Sequence, residues 1–125
     1  MNIKDIYATN DEIRQKLTQT VENLPDEQAN LLPEGEKWTI ANIVEHIAIV
    51  QDGMTRISGK LLAQAQSAGK QSDGAANLSD NFRQKADEIK KLKLEAPDRV
   101  RPTGKQTIAA SLEKMKETRK SLEEL

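Results

Sequence analysis

Apolar residues return at Ile40, Ile43, Ile47, Val50, Met54, Ile57 and Leu61, at alternating steps of three and four. Such steps place side chains on one face of a helix. An unbroken alternation predicts a seam that packs nearly parallel to other helices. Thr39 stands just before this run, where its hydroxyl can accept a hydrogen bond from a free N–H of the first turn. Upstream, Ile3, Ile6, Ile13, Leu17 and Leu24 share a stripe, with Val21 beside it and Asn10 and Thr20 interrupting it. This predicts a helix over about 3–24 that Pro25 ends. "DEQANLLP" reads as one short helical turn closed by Pro33 and Gly35, and "SAGKQSDGAANLS" as a loop. Ser79 can cap a shorter helix carrying Phe82, Ala86, Ile89 and Leu92. Pro97 and Pro102 hold "EAPDRVRPTGK" open as a connector. The last helix starts near Gln106 and aligns Ile108, Leu112, Met115, Leu122 and Leu125, with Arg119 on the same stripe. Strand alternation is almost absent and no repeat occurs at a fixed period. The pattern predicts an all-α antiparallel up-down bundle in a single domain, 1–125. A carboxylate placed at Ile47, in the middle of the best seam, is expected to unfold it, while Gln51 tolerates the change.

Composition narrows the function classes. Nineteen basic against twenty acidic residues leave a net charge of −1, which disfavours a nucleic-acid binder. The basic stretch from Arg83 to Lys105 is interrupted by Asp87, Glu88, Glu95 and Asp98 and reads as a solvated surface. The absence of cysteine removes disulfides, thiolate metal sites and a cysteine nucleophile. No signal peptide is visible in MNIKDIYATNDE, and no apolar run reaches the ~20 residues of a membrane span. A cytoplasmic location, without a membrane partner, is the expectation.

Trp38 is the only tryptophan and His46 the only histidine, and both fall at the start of the best helix. Trp38 can staple the first helical turn, here against Ile43, or wall a pocket. His46 lies ~70° from the centre of the seam, at its edge. There it is either a hydrogen-bonded core residue or a ligand or base facing a cavity. Its helical neighbours at three and four residues, Asn42, Ile43, Ile49 and Val50, include no strong metal ligand. Only scattered carboxylates such as Glu12, Asp80 or Glu113 remain, and Glu45 and Asp52 point away from the seam. Arg119 is either a snorkelling rim residue or an anion-binding arginine. Phosphate loops and nucleophile elbows are missing. Trp38, Asn42 and Arg119 are the pocket candidates.

"KWTIANIVEHIAIVQ" resembles the opening of the second helix in the DinB-like (DinB/YfiT) superfamily, through Trp38, Thr39, Ile40, His46 and Ile47. "LEAPDRVRPTGKQTIAASLEKMKETRKSL" is similar to that family's connector and third bundle helix, with Pro97, Pro102 and Arg119 in place. The initial helix and its "LP" turn fit the order. The resemblance implies an up-down four-helix bundle. It also implies a divalent metal, zinc or nickel, held by three histidines, of which His46 matches the first. The other two belong to a final helix that this sequence does not contain. Implied activities are the transfer of small thiols to electrophiles and metal-dependent hydrolysis. The expectation is therefore a DinB-like topology lacking the last helix, with His46 in an incomplete site and no metal held tightly. A groove left between the helices is expected to form a homodimer interface, unless the short helix around Phe82 folds back to fill it. The competing reading is a non-catalytic bundle that works through association with itself or with protein partners.

Overall fold

The computed structural model describes residues 2–125, and all regular structure among them is helical. Helix α1 spans Ile3–Val21, α2 Asp26–Ala29, α3 Ile40–Ser67, α4 Asp80–Lys90 and α5 Ile108–Glu123, with a 3-10 turn at Asp98–Val100. Each long helix begins on a side-chain cap. The Asn2 side chain accepts from the Asp5 N–H, and the Asp5 carboxylate accepts from Asn2 N–H in return. Thr39 and Asn42 make the same reciprocal pair at the start of α3. Ser79 and Thr107 cap α4 and α5 through their hydroxyls. These caps satisfy amides that the first helical turn leaves free, and the Thr39 and Ser79 caps stand where the sequence places them. α1 stops at Val21, three residues short of the predicted end.

α3 and α5 form the most extensive helix pair. They run in the same direction: Asp52 on α3 meets Lys114 on α5, and Leu125 packs over Gly59. The long crossover from Ala68 to Thr107 makes this possible. α1 runs opposite to both. Tyr7, near its start, donates to the carbonyl of Leu122, and Val21, at its end, joins Ile108 in the core. The core is small: Val21, Ala29, Ala41, Val44 and Ile108, with Leu17, Leu24 and Leu112 packed against it. Met115 is also fully buried.

The buried face of α3 is not the predicted seam. Ala41, Val44, Glu45 and Ala48 are buried. Ile43, Met54, Ile57 and Leu61 remain 46%, 59%, 52% and 60% exposed, and only Ile47 and Val50 are half-buried. At about 100° per residue the centres of the two faces lie about 145° apart. The small side chains at Ala41 and Ala48 let α5 approach closely. Two polar residues then fix the rotation of α3, as described below. Ile3 and Ile13 of α1 are exposed for a related reason: α1 meets the bundle through Tyr7, Asp11, Leu17 and Val21, a line that shares only Leu17 with its predicted stripe. The α4 face is exposed too, at Phe82, Ile89 and Leu92. α4 therefore does not fill the groove between α1 and α3.

Candidate functional site around His46

Glu45 and His46 tie the start of α3 to the segment that leads into α5. The Glu45 side chain points away from the predicted seam, and on that side it is buried; the residue is 3% exposed. Its Oε1 accepts from the Thr103 N–H at 2.9 Å and the Thr103 hydroxyl at 2.6 Å, and its Oε2 accepts from the Gly104 N–H at 3.1 Å. Gly104 has φ of 76°, a left-handed conformation that glycine adopts without steric penalty. That turn aims both amides at one carboxylate. The neighbouring His46 places Nδ1 2.6 Å from the carbonyl oxygen of Val100. A carbonyl can only accept, so Nδ1 carries the proton and the neutral ring keeps its lone pair on Nε2. The Trp38 ring rests against the imidazole at a centroid distance of 4.9 Å and a tilt of 52°. Trp38 thus packs on His46, one turn beyond the Ile43 expected as its partner.

The remaining candidates lie apart from this point. Asn42 closes the α3 capping box. Arg119 sits between α1 and α5, where its Nε and Nη2 donate to the two oxygens of Asp11 at 2.8 and 3.0 Å. Its guanidinium lies 4.7 Å over the Tyr7 ring, and Nη1 is 3.5 Å from Glu123. Arg119 is neither a free snorkelling cation nor an open anion site; it is the clasp between two helices. Asp11 also accepts from Arg14 at 2.6 Å. The hydrogen bond from Arg119 is the main cause that lowers the Asp11 pKa from its usual 3.8, against a smaller opposing effect of desolvation. Asp52 is shared by Arg56 and Lys114.

Two clefts accompany these features, of about 230 and 440 Å³. The larger is the groove between α1 and α3. Ile13 and Leu17 line one wall, Ile47, Val50 and Met54 the other, and Met115, Thr118 and Arg119 form its floor. Neither cleft is lined by Trp38, Asn42 or His46. Of the three pocket candidates, Arg119 alone lines either of these two clefts.

A sequence profile of the DinB superfamily matches residues 9–125. The chain belongs to the DinB superfamily. Comparison with curated proteins and with solved structures finds no match. In this DinB bundle His46 donates one ring N–H to a backbone carbonyl, an arrangement that both core histidines and ligand histidines adopt. The donors around it do not complete a site. Glu45 is consumed by Thr103 and Gly104, and Glu12, Asp80 and Glu113 lie on three different helices. Among the described residues no group of three His, Cys, Asp or Glu side chains is placed to hold a metal ion. The donor set thus falls short of the three protein ligands of a catalytic centre. Among the described residues no helix is long and apolar enough to cross a membrane.

The residue that sequence reasoning missed is Glu45. Its signal was the short 3-4 pattern of Ala41, Val44 and Ala48, a small-residue face with one carboxylate in its middle. The bulkier isoleucine stripe outweighed it.

Proposed function

We propose that this chain is a DinB-type helical scaffold that contributes one imidazole, His46, to metal-dependent chemistry of the thiol-transferase or hydrolase kind on a small thiol or electrophile. The supporting observation is the hydrogen bond from His46 Nδ1 to the Val100 carbonyl, which fixes the tautomer and leaves Nε2 as the free donor. Because the residues here supply one ligand rather than three, the reading requires further donors from outside the described residues. Nickel and zinc titration of the tag-free protein tests it. His46 is the only histidine, so its ring protons are the only imidazole resonances. Substoichiometric Ni²⁺ should broaden them selectively, and His46→Ala should abolish the effect while the protein stays folded. Binding that survives His46→Ala, or imidazole signals that stay sharp under excess metal, overturns the reading.

A second reading is favoured by the apolar face that α3 leaves uncovered: the chain works without catalysis, through association of its helices. Sedimentation over a range of concentrations tests it. Association predicts a mass that rises above 13.9 kDa.

A further inference from the structure

Glu45 and His46 are adjacent on α3, and both reach the same short connector. His46 Nδ1 donates to the Val100 carbonyl at 2.6 Å, and the Glu45 carboxylate accepts from Thr103 and Gly104 a few residues further on. The chain between these two anchors is stiff. Pro102 fixes its own φ and confines the residue before it to extended backbone, and Arg101 has φ of −68° and ψ of 142°. On the other side, the Val100 N–H closes the Asp98–Val100 turn on the Pro97 carbonyl, and Arg101 Nε donates to the Ala96 carbonyl at 3.1 Å. Little slack is left between Val100 and Thr103 to absorb a shift. The anchor itself is firm, because hydrogen bonds to a buried carboxylate are stronger than those between neutral groups. The Val100 carbonyl therefore stands where the grip of Glu45 on Thr103 and Gly104 holds it.

That carbonyl decides the chemistry of His46. An imidazole free in water favours the proton on Nε2, and a fixed acceptor at Nδ1 reverses the preference. The Trp38 ring packs on the imidazole, but an indole has no acceptor with which to choose between the two nitrogens. We propose that Glu45 is a positioning residue for His46. Through the Thr103–Gly104 turn and the rigid Arg101–Pro102 link it holds the Val100 carbonyl against Nδ1, and so keeps Nε2 as the unprotonated nitrogen open to a divalent cation. The cation rests on the metal reading of His46; the tautomer does not.

Nitrogen-15 spectra of the single imidazole report its tautomer, measured at about pH 8.5, well above the ordinary imidazole value of about 6.5. The parent should show the Nδ1–H form almost alone. Glu45→Ala should raise the Nε2–H form to roughly a third of the population or more, and raise the nickel concentration that half-broadens the imidazole signals about tenfold. Glu45→Gln, whose amide oxygen still accepts, should fall between the parent and Glu45→Ala. Pro102→Gly keeps every donor and acceptor of this chain of contacts and only slackens the link; it should shift the tautomer in the same direction. Met115→Ala, at a fully buried position in the middle of α5, loses stability without touching the connector and should keep the parent tautomer. An unchanged tautomer in either Glu45→Ala or Pro102→Gly overturns the proposal, as does an equal shift in Met115→Ala. If Glu45→Ala does not fold, Pro102→Gly decides alone. Imidazole signals that stay sharp in the parent under excess nickel overturn the metal reading instead, and the tautomer measurement still decides the role of Glu45.

Discussion

Glu45 shows how a single side chain can set the packing of two helices. Burying a carboxylate is unfavourable unless its lone pairs are filled, and here two amides and one hydroxyl fill them. Glu45→Ala removes the acceptor and strands all three donors. A loss of about 3 kcal/mol in urea denaturation is expected, with Glu45→Gln losing less because its amide oxygen still accepts. His46→Ala removes the bond to Val100 and the ring under Trp38. It should cost about 1–2 kcal/mol and shift the fluorescence of the only tryptophan. The Asp11–Arg119 clasp adds a pH dependence. Its carboxyl titrates below its usual value in the folded chain, so the unfolded chain takes up the proton first as pH falls. The stabilisation is complete above about pH 5 and disappears as pH drops through the folded value, below about 4. Asp11 is 45% exposed at its side chain, and solvent screening holds the contribution to about 0.5–1 kcal/mol. Asp11→Asn should therefore be less stable than the parent at pH 7, and the difference should shrink as the pH falls below about 4.

At the scale of elements, α3 has two apolar faces, and they differ in what they do. The narrow one, Ala41, Val44 and Ala48, meets α5 and the α1 end. The wide one, from Ile43 to Leu61, faces outward. Val44→Asp places an unpaired charge at a fully buried position and should destabilise by about 3–5 kcal/mol, enough to unfold a core this small. Ile57→Asp, at an exposed site, should leave the thermal transition of the isolated subunit within about 0.5 kcal/mol of the parent. Circular dichroism melts of both variants at low concentration separate the two faces. If Ile57→Asp unfolds and Val44→Asp does not, the rotation of α3 is the one its periodicity suggested. Ile47, expected to be the most sensitive position, lies half-buried in the groove wall and should respond between these extremes.

Over the whole molecule, stability is unevenly distributed. α3 and α5 share the core, whereas α4 presents its apolar residues to solvent and the loop before it is almost entirely exposed. Backbone hydrogen bonds in such a segment open at little free-energy cost. Amide exchange should be at least a hundredfold faster in residues 80–90 than at Val44 to Ala48, and equal protection in both would contradict this division. The crossover is held instead at its far end, by Glu45 and His46 on residues 100–104. Those two residues therefore connect the candidate site to the parallel arrangement of α3 and α5.

Local rules were enough for much of this protein. Thr39 and Ser79 cap helices because a hydroxyl at that position reaches a free amide regardless of what lies further away. The prolines and glycines likewise punctuate the chain through their own backbone preferences. The helical class, the element order and the DinB resemblance around Trp38 and His46 were legible for that reason. Periodicity shows that a face is apolar but not what covers it, so by itself it assigns the isoleucine stripe of α3 to the core. The bonds that decide otherwise join residues more than fifty positions apart: Glu45 to Thr103 and Gly104, and His46 to Val100. The Asp11–Arg119 clasp spans more than a hundred. The small-residue face around Glu45 marks a second apolar side of α3, but not which distant turn its carboxylate meets. The tertiary structure alone decided the rotation of α3, the isolation of His46 from other metal donors among the described residues, and which apolar face of α3 is exposed.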